Sequence, residues 1–249
     1  MNFFTVFSLL NGFLNIMLGI FVASNKINKL DNLFFFLFTV SIFIWNIGYG
    51  LMYIWPNVIT GMYFAKLGTI GIIFIPFFAN LFVVNILGKK EKYLTPFLLI
   101  CVAALLYILF SNGFYTKVSS YYWGNYPIAN CFNFLNILFF VIIFAKVCFQ
   151  LFDNIRFNVA EKNKLQYLLI AFGIGFFGFI DWIPNYFNQF YPLAFFLSSS
   201  WVFIIAIAIT KTRLMDISVV ISRTVAYGLV GTFYVLIMRE LYSFVTIST

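Results

Sequence analysis

The stretch LQYLLIAFGIGFFGFIDWIPN, residues 165–185, decides the fold. From Leu165 to Phe179 it is apolar apart from Gln166, and it carries four small residues, Ala171, Gly173, Gly175 and Gly178. Such a run reads as a membrane span, since about 20 apolar helical residues cross about 30 Å of hydrocarbon. It breaks at Asp181-Trp182-Ile183-Pro184-Asn185, where a carboxylate and a proline end the helix. Upstream lies a basic loop with Lys162 and Lys164. Downstream, a second span runs from Pro192 to Thr210 without a charge, and Lys211, Arg213 and Asp216 open an amphipathic exit.

The rest of the chain asks for the same solvent. Of its 249 residues 63% are hydrophobic, 23% aromatic and only 9% charged, whereas soluble domains carry roughly 25% charged residues. The length fits seven or eight spans and leaves no room for a soluble catalytic domain. Spans are expected at about residues 3–24, 33–55, 60–87, 95–111, 130–151, 166–181, 191–210 and 224–245. The fold class is therefore an all-α polytopic membrane bundle. Residues 1–211 form a seven-helix domain, 212–223 a cytoplasmic amphipathic connector, and 224–249 an eighth helix after which the protein is expected to continue. No basic residue precedes the first apolar run, so it reads as a retained helix rather than a signal peptide.

Charge sets the orientation. Lys26 and Lys29 follow span one, and Lys89, Lys90 and Lys92 follow span three; Arg156, Lys162 and Lys164 follow span five, and Lys211, Arg213 and Arg223 follow span seven. These are eleven of the fifteen basic residues, and they fall in alternate links. The positive-inside rule puts those links in the cytoplasm and the N-terminus outside a bacterial cell membrane. The same bias accounts for the net charge of +8, so the lipid bilayer is the expected partner and nucleic acid is not.

Several chemistries are excluded. The chain has no histidine, and Cys101, Cys131 and Cys148 form no CxxC pair. Neither a histidine-built zinc site nor a Ser/His/Asp arrangement can be assembled, and no metal or cofactor is expected. Gly173-Ile-Gly175-Phe-Phe-Gly178 matches a phosphate-loop pattern, but it lies inside an apolar span with no strand before it, where glycines suit helix packing. Lys66 and Lys146 lie near span ends and can snorkel. The spans hold few ionisable groups, which argues against an ion-coupled transporter.

Particular motifs resemble the N-terminal seven-transmembrane sensor region of bacterial histidine kinases. They are Lys162-Asn-Lys164-Leu-Gln-Tyr167, Asp181-Trp-Ile-Pro184, Tyr191-Pro192-Leu193 and Arg213-Leu-Met-Asp216-Ile, with Ser222-Arg223-Thr224 behind. The run from Phe64 to Pro76, with Gly68 and Gly71, and Tyr122-Trp123-Gly124-Asn125-Tyr126-Pro127 are also similar to that family. The resemblance implies a sensory input domain for a two-component system, a homodimer if a kinase core follows, and no catalysis in this chain. The rival reading is an integral membrane protein with a transport or assembly role.

Two aromatic links fall on the outer side. Trp123 and Tyr126 sit in one, and Asp181, Trp182, Asn185 and Tyr191 in the other, so the two can form a cup for a small-molecule or peptide ligand. The alternative is an aromatic belt at the headgroups, with Asp181 as a hydrated helix end. After span seven, Arg213, Asp216 and Arg223 fall on one side of a helical projection and Leu214, Ile217, Ile221 and Val225 on another. That segment can lie in the interface and relay a signal, or serve only as a stop-transfer linker.

Cysteine labelling tests the orientation. In a Cys-free background, Tyr122→Cys is expected to react with an impermeant reagent from outside and Lys90→Cys only from inside; the reverse pattern inverts the topology.

Overall fold

The computed structural model describes residues 3–24, 29–55, 57–121, 124–157, 161–187 and 192, with residues 197, 198, 200, 201, 204, 205 and 208 of the next helical stretch. Four helices come first: α1 (Phe3–Ala23), α2 (Lys29–Ile54), α3 (Val58–Ile86) and α4 (Leu94–Phe110). A hairpin of β1 (Tyr115–Tyr121) and β2 (Gly124–Ala129) follows, then α5 (Asn133–Phe157) and α6 (Lys162–Phe176). A 3-10 turn over Phe177–Trp182 leads into the single turn of α7 (Ile183–Tyr186). Among the described residues five helical stretches are long and apolar enough to cross a membrane, and α4, at 17 residues, is shorter. Most of the expected seventh span lies outside the described residues. So do the expected eighth helix and the connector with Arg213, Asp216 and Arg223.

Local chemistry sets the helix ends. The Asn57 side chain accepts from the Ile59 N–H at 2.9 Å and caps α3, satisfying a backbone donor that has no partner within the first turn. At the other end Gly88 takes φ +63°, and the Lys89 N–H donates to the Val84 carbonyl at 3.0 Å. Only glycine adopts that left-handed backbone without cost. Pro76 sits inside α3, which runs unbroken through it.

α1, α2 and α3 pack antiparallel in chain order, with α5 and α6 against α3 and each other. Small residues let α2 and α3 approach closely. A Cβ at Gly48 would overlap the backbone of Gly68, and one at Gly71 would overlap the Ser41 carbonyl and the Trp45 amide. Gly48, Gly68 and Gly71 thus let the two helices approach closely. The glycines of α6 divide differently. A Cβ on Gly175 would press on Phe144, while one on Gly173 meets nothing within 4 Å among the described residues. α4 buries one stripe, Leu98, Val102, Leu105 and Leu109, and turns Ile100 and Tyr107 outward at 68% and 76% exposure. An apolar stripe inside and apolar residues outside suit a helix with protein on one side and lipid on the other.

The outer aromatic link that holds Tyr126 is a hairpin, and it adds a small sheet to an otherwise helical bundle. Val118 pairs with Pro127, Ser119 with Tyr126 and Tyr121 with Gly124, with an irregularity between Tyr115 and Lys117. Gly124 has φ +132°, and a Cβ there would meet the Tyr53 carbonyl. The glycine therefore serves both the strand's conformation and its seat on the end of α2. Among the described residues, Lys89, Lys90, Lys92, Arg156, Lys162 and Lys164 lie at or between the helix ends opposite the hairpin, the basic end.

Gly71→Ala is expected to push α2 and α3 apart and cost about 1–3 kcal/mol, read as a lower unfolding midpoint in lipid nanodiscs. Gly173→Ala serves as the tolerated control.

Candidate functional site

Beneath the hairpin the bundle encloses a cavity of about 60 Å³. Phe38, Ile42, Trp45 and Tyr49 of α2 form one wall, Ile72 and Ile75 of α3 another, and Phe140 and Phe144 of α5 a third. Gly175 of α6 leads into Gly178, Asp181 and Trp182 of the 3-10 turn, while Leu197, Ser198 and Trp201 close the side. Tyr126 of β2 reaches in from the lid.

The lid is held at several points. Asn125 Nδ2 donates to the Trp55 carbonyl at the end of α2, and Asn185 Nδ2 donates to the Pro127 carbonyl at 2.8 Å. The Tyr126 hydroxyl donates to the Asp181 carbonyl at 2.7 Å, with carboxylate Oδ2 at 3.5 Å. Burial first, and then the Asp181 charge, push the Tyr126 phenol well above its ordinary pKa, which keeps it a donor. A hydroxyl chain lies beside it. Thr69 donates to the Ala65 carbonyl at 2.7 Å, so its oxygen accepts from Tyr115, also at 2.7 Å, and Tyr115 in turn accepts from Tyr49 at 3.2 Å.

Of the residues expected to form a cup, Tyr126, Asp181 and Trp182 line one cavity. Asn185 ties the lid down instead, and Trp123 and Tyr191 lie outside the described residues. Asp181 is only 8% exposed, which overturns its reading as a hydrated helix end. The site is also deeper than a cup of two links, because helices supply most of its walls. Phe38, Trp45, Tyr49, Phe140, Phe144, Ser198 and Trp201 carry no signal in the sequence that sets them apart from other span residues.

A second polar cluster lies toward the basic end. Lys146 of α5 donates to Glu91 Oε1 and to Asn80 Oδ1, both at 2.5 Å, while Asn80 Nδ2 reaches Glu91 Oε2 at 3.1 Å. Gln150 Nε2 adds a bond to Glu91 Oε1 at 2.9 Å. The Lys146 side chain, placed near a span end, is only 24% exposed and is paired with Glu91 of the link after α3. Lys66 instead reaches Asn112 Oδ1 at 2.6 Å, at the hairpin end. Burial alone would raise the Glu91 carboxyl, but hydrogen bonds from Lys146, Asn80 and Gln150, with the lysine's charge, hold it below the ordinary 4.5.

The family model described as the N-terminal 7TM region of histidine kinase matches residues 7–218. No curated protein matches the chain.

A carboxylate depressed on folding stabilises the native state fully above its unfolded pKa, and that contribution fades as pH falls through the folded value. Stability of the wild type is therefore expected to drop below about pH 4.5, and Glu91→Gln to flatten that part of the profile. Lys146→Met is expected to cost about 2 kcal/mol at neutral pH, between exposed and buried pairs. Unfolding midpoints across pH 3–7 check both.

Proposed function

The chain belongs to the N-terminal 7TM regions of histidine kinases and is a sensory input domain, and we propose that it detects a small molecule in the cavity beneath the hairpin. The observation that carries this reading is the cavity itself. It brings a buried carboxylate, three tryptophans and two tyrosines together under a strapped lid. A volume of about 60 Å³ favours a small molecule over a peptide. Pockets of this make-up, apolar with a few convergent polar groups, are the usual ligand sites of helical bundles.

In this reading the N-terminus and the hairpin face the outside of a bacterial cell membrane, consistent with basic residues gathered at the other end. The signal passes to a cytoplasmic output through the segment carrying Arg213, Asp216 and Arg223, and the working unit is a homodimer with a kinase core behind this chain. The family match favours this over a transport or assembly role.

Filling the cavity tests the reading. In a protein that carries the kinase core, Gly178→Leu is expected to change basal autophosphorylation by about fivefold or more, within the usual range of coupling energies, with membrane insertion unchanged. Gly173→Leu, at a glycine outside the lining of this cavity among the described residues, is expected to leave output as in the wild type. Equal output from an inserted Gly178→Leu protein would remove the cavity from the signalling path.

A further inference from the structure

We infer that the cavity takes a small, mostly apolar molecule with one acceptor oxygen, an ether or ketone in class, held by the indole N–H of Trp201. This rests on the reading of the cavity as the ligand site and names the chemistry of what enters it. Trp201 is 2% exposed and lines the cavity. Its Nε1 is buried with no hydrogen-bond partner among the described residues. A buried donor left unmet is costly, and folded proteins rarely keep one without a use for it.

Packing fixes the indole in place. Phe35 stacks on it with centroids 5.9 Å apart, Phe38 lies at 4.8 Å, and Phe172 meets it edge-on at 6.3 Å. The edge that carries the N–H is on the cavity side. Its Cδ1, bonded to Nε1, lies 3.8 Å from where a Cβ would stand on Gly175, which also lines the cavity. The two tyrosine hydroxyls of the lining are already engaged, Tyr126 with the Asp181 carbonyl and Tyr49 with Tyr115. Eight lining residues are aromatic and four aliphatic, so the body of the ligand is apolar. Ring faces carry negative potential, which disfavours an anionic acceptor and favours a neutral oxygen. Size agrees: at about 10–15 Å³ for each water-sized particle, 60 Å³ holds roughly four to six non-hydrogen atoms.

The test uses the whole chain in lipid nanodiscs, titrated with diethyl ether and with pentane, its match in size without the oxygen. The readout is the set of indole N–H resonances of the five tryptophans, isotope-labelled at the ring nitrogen. Ether is expected to move the Trp201 proton downfield and saturably, while pentane leaves it near its starting position. Trp201→Phe assigns that resonance by removing it and keeps an aromatic ring. It is expected to weaken ether about tenfold, the worth of one hydrogen bond, and pentane by roughly twofold or less, read from the other tryptophans. Each probe is compared with itself, so partition into lipid cancels. Benzothienylalanine at position 201, the same two-ring shape with sulfur in place of the N–H, takes over if the phenylalanine variant does not insert. Equal losses for ether and pentane overturn the acceptor inference and leave the cavity to purely apolar molecules. If neither probe moves any resonance, the ligand-site reading falls as well.

Discussion

Hydrocarbon offers no hydrogen-bond partner, so every polar group carried into it must be met from within the bundle. In this chain that constraint turns scattered polar side chains into cross-links. Asn11 of α1 donates to Asn46 Oδ1 of α2 at 3.1 Å and to Ser198 Oγ at 2.5 Å. Ser8 donates to the Asn46 carbonyl, and Asn15 reaches back to Asn11. Asp31 at the start of α2 accepts from Asn85 at the end of α3 at 2.5 Å. Apolar packing between helices gains little when the alternative is an acyl chain. These bonds, together with the glycine seam of α2 and α3, select which helix sits beside which.

The cavity and the basic-end cluster belong to the same two helices. On α3, Ile75 lines the cavity and Asn80 joins Glu91; five residues of helix separate them by about 7.5 Å. On α5, Phe144 lines the cavity and Lys146 holds Glu91. A rearrangement of the ringed walls therefore bears on helices whose other contacts are an ion pair and amides rather than interchangeable apolar side chains.

How much of this could be read in the sequence depends on the range of the interaction. Helical spans were legible because lipid imposes length and composition locally, and α1 to α6 fall close to the expected positions. Gly68 and Gly71 announced close packing, because a missing side chain inside a span has few other uses. The hairpin was missed although Tyr115, Thr116, Val118 and Tyr121 are good strand formers; its run was short, and aromatics at a membrane boundary fit a belt as well. Asp181 was expected beside the outer aromatic link, but its burial was not legible. Its burial depends on Tyr126, 55 residues away, and no local pattern reports that. The partner of Lys146 was out of reach for the same reason, since Glu91 is supplied by a loop 55 residues earlier.

The bond from Asn11 to Ser198 joins residues 187 positions apart. At about 5–20 residues per second, a typical rate of synthesis, some 10–40 s separate the emergence of the two. During that interval α1 is already in the membrane, held to α2 through Ser8, Asn11 and Asn46, while the remaining acceptor has yet to be made. The first three helices thus assemble as an early unit with an open polar seam. The arrival of Ser198, followed by Trp201 against Phe35 and Phe38, completes the wall of the cavity.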